Sequence, residues 1–524
     1  MKLEALTALV TPVSVAASCV ALLFVYLSTP SAHDEAVKHL PTPERDHWIL
    51  RHTLELIKAQ RSGKFHDWAL HYCRKFQGHP WCLRMIGKHP TVVVCCPEAF
   101  EDIQKTQFDA FDKSPFVSEA MYDVLGQGIF AVSGSLWQHQ RKTASHLFTA
   151  QMMQYALEVV VPDKGEELVT RLQELRMKEK DDRVVSLKRL LDLYTMDIFA
   201  KVGFGVDLHG VKADENAEVL DAFERMSRRM LERIQTPVWL WKLMRWLNVG
   251  AEKQLAQDVK LLDDLVYGVI AQSIEEKNRQ EDSRKDLITL FIDKSEVEYT
   301  KGVHTKKDLK LMRDFVISFL AAGRETTATT MSWVIVMLNR YPEVLVNVRQ
   351  ELKEKLPGLV AGEIRSPNLE DIQKLVYLEA VVRETLRLFP VVAVAGRSAT
   401  RDVRLYEGTF IKAGTRVIMP HYAMGRMPTV WGPDVNEFKP ERWIDVTTGR
   451  IKQVSPFKFS VFLGGPRICL GMKFALAEVK ITLAKLLSQF DFNTVKDPFT
   501  FTYQSSITLQ VKGSLDVEVF PIKL

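Results

Sequence analysis

Apolar and polar positions divide the chain into one uncharged N-terminal stretch and a long, mostly helical body. From Ala5 to Ser28 there is no charged side chain, only apolar residues with scattered Thr and Ser and a single proline, Pro12. Those 24 residues would span about 36 Å as a helix, enough for a bilayer core of roughly 30 Å. The stretch is longer than a signal-peptide core, and no small-x-small cleavage site follows it. It is therefore expected to be an uncleaved transmembrane anchor, stopped by Pro30 and by a stiff hinge at Pro41-Thr42-Pro43. The predicted organisation is a membrane anchor and hinge over 1–45, then one catalytic domain over 46–524. The flanking charges (Lys2, Glu4, Lys38, Arg45) are too few to set orientation.

In the body, Trp81–Ile86 and Thr91–Cys95 are short apolar runs around Gly87-Lys88-His89-Pro90, which predicts a hairpin. Pro97 then opens a short helix. From about residue 135 the period is helical. Asp308 to Asn339 reads as one long helix ended by Tyr341-Pro342, and Leu375 to Leu388 and Met472 to Phe490 as two more. Strand signals return near 404–419 and 500–520, while the polar stretches Glu275–Arg284 and Asp293–Lys307 read as exposed loops. The predicted class is mainly α with small β-sheets.

Composition narrows the function. With 46% hydrophobic and 26% charged residues the chain can bury a large core, which excludes wholesale disorder. A net charge of +5 on 524 residues gives no sign of nucleic-acid binding. Six cysteines cannot form a disulfide framework and read as reduced thiols facing the cytosol. Gly126-Gln127-Gly128-Ile129-Phe130-Ala131 fits the dinucleotide pattern but lacks the strand and βαβ unit that pattern requires. Cys95-Cys96 lie in a strand-like run with no zinc spacing nearby and read as core thiols.

The most informative segment is Phe462-Leu463-Gly464-Gly465-Pro466-Arg467-Ile468-Cys469-Leu470-Gly471. Its glycines permit a tight loop with backbone amides close to a sulfur, and a helix begins just after the cysteine. A helix N-terminus and a nearby arginine both favour thiolate over thiol. The pattern F-x-x-G-x-R-x-C-x-G resembles the cysteine loop of the cytochrome P-450 superfamily, the haem-thiolate monooxygenases. In that family a thiolate pushes electron density toward iron and favours O–O cleavage. The resemblance covers about residues 80–515. It implies the P-450 fold, a triangular helical prism, behind the anchor, with haem b (iron protoporphyrin IX) as cofactor. By the same likeness Cys469 is the axial ligand, Phe462 belongs to the haem-binding loop, and Arg467 holds a haem propionate.

Other segments carry the likeness further. Glu384 and Arg387 are i, i+3 on one helical face, and Pro440-Glu441-Arg442-Trp443 follows at the family's spacing. The resemblance implies a buried Glu384–Arg387–Arg442 network that braces the cysteine loop. Ala322-Gly323-Arg324-Glu325-Thr326-Thr327 interrupts a long helix with poor helix builders and is similar to the family's oxygen-activating motif. There Ala322 and Gly323 would let the helix pass close over the haem, Thr326 would hydrogen-bond the bound oxygen molecule, and Glu325 would relay protons. Trp137 and Arg141, at i, i+4, match the family's W-x-x-x-R at a propionate, and Arg397 matches a further propionate partner.

The segments 200–207, 241–250 and 422–427 are similar in wording to the long-chain fatty-acid and alkane omega-hydroxylases of plants and fungi. The implied reaction is insertion of one oxygen atom of O2 into a C–H bond of a long-chain fatty acid, at or near the chain terminus. The alternatives are an alkane, sterol or xenobiotic substrate, or a haem-thiolate hydroperoxide isomerase or dehydratase. The implied pocket walls are Phe111–Phe130, 322–327, Val391–Gly396 and Gln504–Ile507. Only 55 residues follow Cys469, too few for a flavin domain, so NADPH electrons are expected through a separate flavoprotein reductase. Lys452, Lys458 and Lys473 flank the loop that would meet it. Trp239, Trp241 and Trp246 with Lys242 and Arg245 suit a membrane interface. The expected location is the endoplasmic reticulum membrane, single-pass, with the catalytic domain facing the cytosol.

Overall fold

In a computed structural model, residues 29–522 are described except 45–46, 48–49, 87, 178–183, 214–216, 279–287 and 289–305. Of the first 28 residues only 14, 15, 17 and 18 are described, so the expected anchor lies outside the described residues apart from these four. Among the described residues no helix is long and apolar enough to cross a membrane. The chain interleaves two compact units, residues 1–112 with 394–435 and residues 113–393 with 436–524.

The first unit is built on a five-stranded sheet. Its strands are β1 (Trp81–Leu83), β2 (Thr91–Val93), β3 (Phe111–Asp112), β4 (Ala395–Ala399) and β5 (Arg416–Met419), in the order β1-β2-β5-β4-β3. The expected hairpin is present, with Trp81 opposite Val93. β2 and β5 run parallel, Thr91 against Arg416, and the other pairings are antiparallel. All six residues of β1 and β2 are buried, as expected for short strands with both faces covered. Trp81 is fully buried, edge-on to Trp68 at 5.8 Å. Cys95 is buried, but Cys96 is only half-buried, its sulfur 3.3 Å from the Tyr406 hydroxyl, which corrects its reading as a core thiol.

The second unit is helical. Its principal helices are α1 (Pro115–Leu125), α2 (Gly134–Ser145), α3 (Leu187–Phe204), α4 (Ala217–Gln235), α5 (Val238–Trp246), α6 (Gly250–Asn278), α7 (Lys306–Arg340), α8 (Val376–Leu388) and α9 (Met472–Gln489). Glu275–Asn278, expected to open a loop, instead complete α6; the rest of the expected 275–284 and 293–307 loops lies outside the described residues up to 305. Helix α7 stops where sequence places the break, because Pro342 lacks an amide donor and starts the next helix. Two small antiparallel sheets complete the unit. One joins Val184–Ser186, Asp516–Pro521 and Phe490–Thr494; the other pairs Tyr503–Ser505 with Leu509–Val511.

Helix α7, 35 residues long, is the element on which the unit is assembled. Near its start Asp314 accepts from the Gln127 amide at 2.8 Å, and Arg313 donates to the Val124 carbonyl at 2.7 Å. A Cβ at Gly126 would overlap the Asp314 carboxyl, and one at Gly128 would overlap Ser318. The two glycines of the dinucleotide-like motif thus let a loop lie flat on α7. Further along, α3 packs on α7, and a Cβ at Gly323 would overlap the Phe199 ring. Gly323 is therefore required by the α3–α7 crossing, a different reason from the haem clearance that the motif implies. Gly323→Ala is expected to cost about 1–3 kcal/mol by overpacking, and the added change Phe199→Leu to recover part of it. Denaturant midpoints of the single and double variants check this; a Gly323→Ala variant as stable as the parent would contradict it.

Candidate active site around the Cys469 loop and helix α7

Cys469 precedes α9, with Gly471 as the helix N-cap. Its backbone amide donates to the Phe462 carbonyl at 2.8 Å, which closes the loop. Inside it, Gly465 has φ +60°, and a Cβ on Gly464 would overlap the Phe457 ring. Leu463 also has φ +60°, with ψ −173°, a conformation nearly confined to glycine and costing about 1–3 kcal/mol. Cys469 is exposed. Desolvation by the surrounding protein pushes its thiol up, and the Gly471 amide, the Arg141 charge and the Met472 amide offset this only in part.

Three side chains of α2 and the loop converge beside the sulfur. Trp137 is buried; the Arg467 guanidinium lies 4.2 Å from its ring centroid and that of Arg141 lies 5.8 Å away. Arg141 donates to the Ile468 carbonyl at 2.8 Å. Arg467 reaches the Val132 carbonyl at 3.5 Å and the Ser133 hydroxyl at 3.4 Å. Burial lowers the Arg141 guanidinium, and the one charge raising it is Cys469; among the described residues no carboxylate pairs with it. A half-buried cation with no carboxylate partner among the described residues suits an anionic ligand. Arg397 stands in the other unit, buried on β4, and donates to its own Gly396 carbonyl at 2.8 Å. Burial first, and then Arg397, pushes the His421 imidazole down to about 3.

Glu384 on α8 is fully buried and is the hub expected from the sequence, with more partners than the motif names. It accepts from Arg387 at 2.8 and 2.7 Å, the Lys439 amide at 3.0 Å, Arg442 at 3.4 Å and the Trp443 indole at 2.9 Å. Trp443 stands edge-on to Phe459 at 4.6 Å, and Phe459 to Phe462 at 6.4 Å. The hub therefore reaches the cysteine loop through three aromatic rings.

At the middle of α7, Ala322 and Thr326 are half-buried on one face, and the Thr326 hydroxyl donates to the Ala322 carbonyl at 2.6 Å. Glu325 faces another way and is buried. It accepts from Arg324 at 3.1 Å and Ser227 at 3.2 Å, and through its other oxygen from Thr508 and Gln510. The 504–511 ribbon is fixed by two further bonds, from the Leu509 amide to the Val391 carbonyl and from the Trp333 indole to the Leu509 carbonyl, each 2.8 Å. Sequence reasoning missed Ser227, Thr508 and Gln510, which carry no local signal. It also missed Glu478 on α9, whose signal is a lone carboxyl in an apolar helix. Burial pushes Glu478 up to about 8 against the Thr327 hydroxyl, which lies 3.4 Å from one oxygen. The other oxygen has no hydrogen-bond partner among the described residues.

A sequence profile of the cytochrome P450 family matches residues 41–515. The chain belongs to the cytochrome P450 family. This P450 is 32% identical to cytochrome P450 704C1 of Pinus taeda over 89% of its own length and 90% of the relative's. It is 33% identical to cytochrome P450 86B1 of Arabidopsis thaliana, over 90% and 84% of the two chains. With cytochrome P450 94C1 of the same plant it shares 32% identity over 86% and 88%. Membership makes the chain a monooxygenase with a haem-thiolate cofactor. The thiol at a helix N-terminus and the unmatched Arg141 charge are a donor set that fits such a group.

Two measurements follow for this P450. Glu384→Ala leaves Arg387 buried without its counter-charge and is expected to cost about 3–5 kcal/mol, read as a lowered denaturant midpoint. Glu478 holds a proton when folded that the unfolded chain releases between its ordinary value of 4.5 and about 8. Its stabilising contribution is complete below the lower value and lost as pH rises through the upper one. Glu478→Gln, neutral throughout, is expected to flatten this stretch of the melting-temperature profile and to exceed the parent on the alkaline side. Superimposable profiles would contradict it.

Proposed function

We propose that this cytochrome P450 inserts one oxygen atom of O2 into a C–H bond of a long-chain fatty acid, at or near the chain terminus. The observation that carries the chemistry is the Cys469 thiol at the start of α9, flanked by Arg141, which has no carboxylate partner among the described residues, and by Arg467 stacked on Trp137. Cys469 is the proposed iron ligand, with Phe462 beside it in the loop. Trp137, Arg141, Arg467 and Arg397 are proposed to hold the haem propionates. When bound, the haem supplies the site at which O2 is activated and cleaved. The protein contributes the surrounding groups. The Thr326 hydroxyl, now bonded to the Ala322 carbonyl, turns to hydrogen-bond the reacting oxygen, and Glu325 holds the proton that cleavage consumes. Glu384, Arg387 and Arg442 act at a distance, by keeping the loop in its strained shape.

The substrate class rests on the local likeness of three segments to fatty-acid and alkane hydroxylases, and on mostly apolar wall segments suited to an alkyl chain. Exposed Trp239 and Trp246 on and at the end of α5, 68% and 80% accessible, support entry from a lipid surface. Trp241 has a different place, buried beneath Arg233 at 4.6 Å. Attachment to the endoplasmic reticulum membrane through residues 5–28, with the enzyme facing the cytosol, is part of the same proposal. NADPH electrons would arrive from a separate flavoprotein reductase docking near Lys452, Lys458 and Lys473.

Incubation with laurate or oleate, NADPH and a reductase is expected to yield terminal or near-terminal hydroxy acids. Turnover of alkanes or sterols alone would overturn the substrate class, and conversion of a hydroperoxide without NADPH would overturn the reaction. Cys469→Ser is expected to keep the helical circular dichroism but lose the thiolate-type band of the reduced carbon-monoxide complex.

A further inference from the structure

Both oxygens of Glu325 are taken. Thr508 and Gln510 hold one, Arg324 and Ser227 the other. A carboxylate so held exchanges a proton only after releasing a donor, and the donor with somewhere else to go is Arg324. Its guanidinium, 4.7 Å from the Phe223 ring centroid, reaches Glu325 at 3.1 Å through one terminal nitrogen and Asp192 of α3 at 3.3 Å through the other. The helix beneath is pinned, because Thr195 donates to the Arg324 carbonyl at 2.9 Å. The side chain can therefore turn while its backbone stays. Asp192, Arg324 and Gln510 line a cleft of about 270 Å³, whose mouth carries Arg189 and Asp221, 39% and 55% accessible. The Arg324 Nε and the Gln510 Oε1 are buried without hydrogen-bond partners among the described residues, so two polar atoms remain for water entering the cleft.

We infer that Asp192 is a positioning residue that draws Arg324 away from Glu325, and that this cleft brings solvent protons to Glu325. The inference rests on the proposed role of Glu325 as proton holder. With Arg324 turned to Asp192, the released Glu325 oxygen keeps only Ser227. It takes a proton from cleft water to replace the one passed toward Thr326; one O–H bond forms as another breaks, and Arg324 keeps its protons. The charged groups facing Asp192 are Arg324 and Glu325 from α7, Glu224 from α4 and Lys188 on its own helix, and Lys188 is paired with Glu224 at 3.3 Å. Burial pushes Asp192 up to about 6, against the pull of Arg324 and Lys188. Asp192 is thus charged at neutral pH and competes for Arg324; once protonated in mild acid, it leaves Arg324 to Glu325 alone.

The test compares Asp192→Asn, Asp192→Glu and Glu325→Gln in the full chain with haem and reductase, scoring product formed per NADPH consumed across mildly acid to alkaline pH. In the parent this ratio is expected to fall as pH drops through about 6. Asp192→Asn is expected to lower it several-fold at neutral pH, with the missing electrons appearing as hydrogen peroxide, and to abolish the acid limb. Asp192→Glu should restore both. An infrared titration gives a readout apart from turnover: a carboxyl band with a midpoint near pH 6 in the parent, absent from Asp192→Asn. If Glu325→Gln lowers the ratio while Asp192→Asn leaves ratio and profile unchanged, the inference falls and the role of Glu325 stands. If Glu325→Gln also leaves the ratio unchanged, that role falls and the inference with it.

Discussion

The buried charge of Glu384 is the constraint on which the candidate site depends. A carboxylate with no exposure must find its donors inside the protein, and Glu384 finds five, from Arg387, the Lys439 amide, Arg442 and Trp443. These come from α8 and from segment 439–443, a single 3-10 turn over Pro440–Trp443, so satisfying one side chain fixes the path of a stretch outside the long helices. The Trp443 indole, held by that bond, bears on Phe459 and through it on Phe462. The Phe462 carbonyl in turn takes the Cys469 amide. A loop containing Leu463 in a glycine-like conformation would relax if its surroundings allowed it. The polar hub at one end and the aromatic relay at the other prevent that relaxation.

Helix α7 solves a second problem, how one element serves packing and chemistry together. Each face of its middle is committed to a different neighbour. Gly323 meets Phe199 of α3, Glu325 meets the 508–510 ribbon and α4, and Thr327 meets Glu478 of α9. Ala322 and Thr326 remain half-buried, on the face where the proposed function puts the reacting molecule. The small residues at 322 and 323 thus do two separate jobs, one open to the site and the other closed against a helix.

What could be read from sequence was what is local. The Cys469 loop, the i, i+3 pair Glu384–Arg387 and the limits of α7 all sit within a few residues of their own signals, and turn chemistry or helical period defines them. What could not be read depends on chain segments that meet only after folding. The partners of Glu325 lie 98, 183 and 185 residues away at Ser227, Thr508 and Gln510, and nothing near any of them marks the meeting. The same limit holds for the glycines. Gly126, Gly128 and Gly323 announce close approach, but the approaching groups found in the structure, Asp314, Ser318 and Phe199, are set by tertiary packing. Cys96 failed for a related reason: an apolar run predicts burial of the run but not of its last residue, where the strand has already ended.

Three buried glutamates show how the same side chain takes different parts within one unit. Glu384 is surrounded by donors from two arginines, an indole and an amide, and every one would lose a partner if it moved, so it serves as a fixed anchor. Glu478 meets a single hydroxyl; burial prevails there, and the group is pushed toward holding its proton. Glu325 falls between them, with four donors of which one, Arg324, is shared with a second carboxylate. Only at Glu325 can a partner leave without abandoning its own charge to the interior, because Asp192 receives it. The proton-relay role proposed for Glu325 would need that middle condition: enough donors to be tolerated in the core, and one of them able to turn away.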